Sequence, residues 1–143
     1  MIDEMCMLIG GRVAEEVING EPSSGALNDL ERMTGMAYGM VQYLGMSEKV
    51  GTLSFYDSTG AKGYNLVKPY SEKTAELMDQ EVKAIVEGVH RRTRQIIDDH
   101  KDAFLQLGDL LLEKEVIFAE DIEKILGPKV KPAADDRFEQ TEA

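Results

Sequence analysis

Residues 22–47 read PSSGALNDLERMTGMAYGMVQYLGMS, a stretch that is apolar along two helical rows at once. Leu27, Leu30, Thr34, Ala37, Val41 and Leu44 recur at three- and four-residue steps and share one face. Met33, Met36 and Met40 form a second row. A helix apolar over so wide an arc belongs at the centre of its domain, so the chain is expected to build around it. Ser23 or Ser24 is placed to cap its start and Gly45 to close its end. Asp29 stands four residues before Met33 and so heads the second row. An acid there has two readings. It complements the helix dipole, stabilising by roughly 0.3–1 kcal/mol, or it is a metal ligand or catalytic carboxylate.

The remaining sequence supplies helices to pack against this one. In residues 1–18, Ile2, Met5, Cys6, Ile9, Val13 and Val17 keep a helical step that Asn19-Gly20 stops. The chain opens inside that pattern without a cap, as expected of a segment of something longer. Gly10-Gly11 costs about 1 kcal/mol per glycine against alanine and suggests close approach of another backbone. Glu15 and Glu16, one turn before the stop, are either a solvated face or carboxylates supporting the Asp29 end of the next helix. Residues 71–99, capped by Ser71, form the longest periodic segment, with Ala75, Met78, Val82, Ile85, Val86, Val89, Thr93, Ile96 and Ile97 on one face. Residues 102–114 repeat the pattern through Phe104, Leu107 and Leu111, and with Leu110 and Leu112 should be deeply packed. Residues 119–126 make a short last helix ended by Gly127-Pro128. Between the second and third helices, Leu53 and Phe55 alternate with polar residues, and residues 64–67 can return as a second strand. The expected fold is mainly α, a helical bundle with a small β-hairpin over residues 1–128, followed by a disordered acidic tail at 129–143.

Charge and composition restrict the partners. A net charge of −11 over 143 residues excludes a phosphate-backbone ligand, which needs clustered Lys and Arg, and opposes direct contact with anionic membrane. The lone cysteine, Cys6, lies in an apolar row and has no disulfide partner. His90 and His100, ten residues apart on one helix, are about 15 Å apart along its axis. They cannot share a zinc ion and read as surface histidines.

The motifs GGRVAEEVING at 10–20, SSGALNDLERMT at 23–34, MVQYLGMSEKVG at 40–51, KPYSEKTAELMDQEV at 68–82 and LLLEKEVIFAEDIEKILG at 110–127 occur in the order found in FtsH-type proteases. The chain resembles the C-terminal part of their peptidase domain. Ser23-Ser24 replaces the family's usual Thr-Thr, and Gly35 and Gly39 are less usual in the central helix. The resemblance implies a membrane-anchored, ATP-dependent zinc endopeptidase that degrades unfolded or membrane proteins as a homo-hexamer on the cytoplasmic side. ATP and magnesium would act in its AAA+ module. In that family zinc lies between two histidines of a His-Glu-x-x-His helix and a downstream aspartate. The matching aspartate is Asp29, with Glu15, Glu16 and Asn28 as candidates to support it. No His-Glu-x-x-His occurs in this sequence. The chain is therefore expected to provide one metal ligand and no catalytic residue, and neither to hold zinc nor to cleave protein alone. Two rivals are a non-catalytic helical assembly module and a regulatory metal site built from Asp29, Glu15 and Glu16.

Overall fold

The computed structural model describes residues 1–55 and 69–129. Two compact units divide the chain, Met1–Asp99 and His100–Ala143. The first holds α1 (Ile2–Asn19), a 3-10 turn (Ser24–Ala26), α2 (Leu27–Gln42) and α3 (Glu72–Asp99). Each of the three helices packs on both of the others. Met5, Ile9 and Val13, four residues apart on α1, meet Met33, Ala37 and Val41 of α2 and Met78, Val82 and Val89 of α3. All nine are at most 5% exposed, which makes this seam the core.

The helix ends follow local chemistry. Gly20 adopts φ 79° after α1, a left-handed conformation that stops the helix at little cost. Ser23, not Ser24, provides the cap at the start of the 3-10 turn, its hydroxyl accepting from Gly25 N at 3.3 Å. Ser71 caps α3 by accepting from Thr74 N at 3.3 Å. Met46 N donates to Met40 O at 2.9 Å, closing the chain over Gly45, which has φ 61°. A Cβ at Gly45 would come within 3.2 Å of the Thr52 backbone.

Several expectations are corrected. α2 begins at Leu27 and buries residues of both apolar rows, Met33 and Met40 of one and Ala37 and Val41 of the other, whereas Leu27 and Leu44 near its ends are 75% and 55% exposed. In a three-helix unit only one stripe of α2 faces α1 and α3, and that stripe takes residues from both rows. Among the described residues, Gly10 and Gly11 have no atom within 4 Å of where a Cβ would stand, so none of that backbone approaches them. Leu53–Phe55 is not a strand, and no strand occurs among the described residues. The Phe55 amide instead donates to Gln42 O at the end of α2, at 2.8 Å, so it is unavailable to a ladder. Phe55 also packs edge-on against Tyr70, with ring centroids 5.1 Å apart. The expected return strand at 64–67 and the tail from residue 130 lie outside the described residues.

The second unit contains α4 (Lys101–Lys114) and α5 (Ala119–Leu126) packed together. Contrary to the dense packing expected of it, α4 has no buried residue. Asp121 organises the connection: it accepts from Phe118 N at 3.1 Å and from Lys114 Nζ at 2.9 Å. Both contacts hold its carboxyl below the ordinary aspartate range, the lysine first. Among the described residues no helix is long and apolar enough to cross a membrane.

Candidate metal-ligand site

Asp29 lies in the first turn of α2, where the free N–H groups of a helix favour an anion. It is half-buried and has no hydrogen-bond or ion-pair partner among the described residues. Its neighbours line a groove of about 330 Å³ between α1 and α2: Glu4, Met7, Leu8 and Arg32 join Asp29 there. Met7 is 82% exposed, so the groove is flanked by apolar surface that α1 and α2 leave uncovered.

The approach to Asp29 is tied down from α1. Glu15 takes Ser23 at two points, accepting from its amide at 2.8 Å and from its hydroxyl at 2.9 Å. These bonds, the backbone one foremost, lower the Glu15 pKa. Ser23 caps the 3-10 turn that runs directly into α2, so Glu15 acts on the segment that ends at Asp29. Glu16 points elsewhere. Its carboxylate lies 2.7 Å from His90 Nε2 on α3 and 3.5 Å from Arg12 Nε. His90 is thus a surface histidine, its side chain 37% exposed, that has a partner on another helix. Asn28 is exposed and has no hydrogen bond among the described residues.

Of the predicted site residues, the structure brings Glu15 to Ser23 just before the helix bearing Asp29, places Asn28 exposed beside Asp29 in the first turn, and pairs Glu16 with His90 and Arg12. Arg12, Arg32, Glu4 and His90 were missed. Arg32 follows Asp29 by three residues and Arg12 precedes Glu16 by four, spacings that place each pair on one helix face. His90 and Glu16 are 74 residues apart, and no local spacing signals their contact.

A catalytic zinc takes three protein donors and keeps a position open. Among the described residues no three His, Cys, Asp or Glu side chains are grouped to hold a metal ion. Glu15 and Glu16 are engaged with Ser23, Arg12 and His90, which removes the regulatory site built from those two acids and Asp29. Asp29 fits the requirement for one oxygen donor, and Glu4 on α1 lines the same groove.

Fold and groove define a helical domain that presents the Asp29 carboxylate at a helix start, beside Glu4 and Arg32. The family model described as Peptidase family M41 matches residues 1–125, and the chain belongs to that family. It is 48% identical over 127 residues to an ATP-dependent zinc metalloprotease FtsH of Parabacteroides distasonis, covering 89% of this chain and 18% of the relative. It is 50% identical over 131 residues to an ATP-dependent zinc metalloprotease FtsH of Rhodothermus marinus, covering 90% and 19%. The mitochondrial ATP-dependent zinc metalloprotease FTSH 3 of Arabidopsis thaliana is 43% identical over 142 residues, covering 96% and 17%. The chain therefore spans less than a fifth of these relatives' length.

Proposed function

We propose that this chain contributes Asp29 as one zinc ligand to the peptidase centre of an ATP-dependent zinc endopeptidase. The observation that carries the reading is the Asp29 carboxylate itself, uncommitted among the described residues, in a groove at the start of a helix whose approach Glu15 secures. The relatives are named ATP-dependent zinc metalloproteases, and Asp29 falls on the aspartate of the family's motif. Zinc, when bound, supplies a Lewis acid and lowers the pKa of its water toward 7.

This chain's own part is to present and aim the ligand. The Asp29 carboxylate binds, the dipole of α2 supports its charge, and Glu15 fixes Ser23 and with it the entry of the helix. The two histidine donors and the proton-handling glutamate belong to a His-Glu-x-x-His segment outside this sequence. Protein substrates, a homo-hexameric ring, an AAA+ module using ATP and magnesium, and membrane anchoring with this domain on the cytoplasmic side complete the reading for the longer protein.

The test is Asp29→Ala in the protein expressed from its own gene. Zinc content and proteolysis should fall together while ATP hydrolysis is retained. Undiminished zinc content would reject Asp29 as a ligand.

A further inference from the structure

The adjacent acids Glu15 and Glu16 bind different neighbours, yet their contacts converge on one residue. Glu16 Oε2 meets His90 Nε2 of α3 at 2.7 Å, and Glu16 Oε1 lies 3.5 Å from Arg12 Nε. Arg12 Nη1 in turn donates to the Ser23 carbonyl at 3.5 Å. A line of polar contacts thus runs from α3 across α1 to Ser23, whose amide and hydroxyl Glu15 already holds. All three backbone or hydroxyl groups of Ser23 are engaged from α1.

The chemistry of the links makes them transmit position. Nε and Nη1 of Arg12 belong to one rigid guanidinium plane, so fixing the first aims the second. Glu16 is only 18% exposed and Arg12 29%, and partial shielding from water strengthens the attraction between the two charges. The imidazole needs no charge for its part, since a neutral ring with its proton on Nε2 donates the same bond. A carboxylate bound by both His90 and Arg12 has little freedom to turn. Without His90, one oxygen of Glu16 is released and the guanidinium loses its fixed reference.

We propose that His90 is a positioning residue for Asp29: by anchoring Glu16 it orients Arg12 against the Ser23 carbonyl and so sets where α2 begins. The inference rests on the reading of Asp29 as a zinc ligand. Metal distances tolerate only about ±0.2 Å, so a small shift in the start of α2 should register at the metal before it registers in the fold.

The experiment compares wild type, His90→Ala, His90→Gln, Arg12→Gln and the double variant His90→Ala/Arg12→Gln, with Asp29→Ala as control, in the protein expressed from its own gene. Zinc release to a chromophoric chelator is followed, with kcat and KM for an unfolded protein substrate. Amide hydrogen exchange of residues 23–29 is measured in the metal-free protein. His90→Ala should speed zinc release about threefold to tenfold, less than the roughly 10–100-fold typical of groups touching a ligand directly. KM should stay unchanged. His90→Gln, whose amide N–H can reach the same carboxylate, should restore wild-type release. Arg12→Gln should match His90→Ala, and the double variant should be no worse than either, since both break one line of contacts. Amides 23–29 should exchange faster in His90→Ala without metal.

Wild-type zinc release by His90→Ala, an additive double variant, or failure of Gln to restore would each overturn the proposal. Should His90→Ala fail to fold, Arg12→Gln with His90 intact reads the other end of the same line, and wild-type zinc release from it would overturn the proposal. If Asp29→Ala keeps its zinc, the ligand reading fails, and faster exchange at 23–29 in His90→Ala still decides whether His90 positions the segment.

Discussion

Asp29 and Glu15 divide the work at the start of α2, one left uncommitted among the described residues and the other bound at two points. That difference predicts opposite behaviour. Asp29 contributes to this chain only through the helix dipole, so Asp29→Ala should shift its stability by less than about 1 kcal/mol, read from paired urea melts. A large destabilisation would make Asp29 structural. Glu15 has its pKa lowered by the Ser23 amide and then the Ser23 hydroxyl. Glu81 is lowered by Lys49 and then Ser47, which it binds at 2.6 and 2.8 Å. A carboxylate with a lower pKa folded than unfolded stabilises fully above its ordinary value and stops doing so as pH falls through the depressed one. The urea midpoint should therefore hold above the ordinary glutamate value of 4.5 and decline below it. Replacing Glu15 and Glu81 together by Gln should flatten that decline in a pH series. An unchanged slope would mean that other carboxylates govern acid unfolding.

At the scale of the elements, glycine position separates turns from helix interiors. Gly45 has φ 61° and backbone 3.2 Å from its missing Cβ, so Gly45→Ala should cost about 1–2 kcal/mol, a little more if Thr52 cannot yield. Gly10 lies inside α1 with open space around it, and Gly10→Ala should instead stabilise by roughly 0.5–1 kcal/mol. Thermal melts of the two variants check both signs at once. The helices themselves were legible because periodicity marks them and Gly20, Ser71 and Gly127 punctuate them. Which residues of the two apolar rows of α2 would be buried was not, because both rows satisfy the same period and only α1 and α3 select the middle residues and leave Leu27 and Leu44 exposed. The alternation at Leu53 and Phe55 was too short to distinguish a strand from a segment whose amide belongs to Gln42. At the candidate site, Asp29 stood out as an acid heading an apolar row, and the family motif is what makes it the proposed ligand. The line through His90 was not visible, since its two ends come from different helices and meet only after folding.

For the whole molecule, the decisive quantities are the lack of three grouped metal donors among the described residues and a net charge of −11. Zinc needs three or four protein ligands to be held tightly, and no group of three exists among the described residues. Equilibrium dialysis of this 143-residue chain should therefore find no stoichiometric zinc at submicromolar metal. Finding it would mean that donors assemble in a way the helices do not display. Association sets charge against apolar surface. Like charge opposes contact between copies, while Leu112 and Phe118 are 85% and 68% exposed in the second unit, and Met7 and Leu27 are 82% and 75% exposed in the first. At about 0.1 M salt the repulsion reaches roughly 10 Å, and at 1 M only about 3 Å. Sedimentation at micromolar concentration should accordingly give a monomer or weak oligomer at low salt and more association at high salt. A stable hexamer at low salt would show that this chain alone contains the contacts of a ring. A monomer unmoved by salt would show that its exposed apolar residues are too dispersed to join two copies.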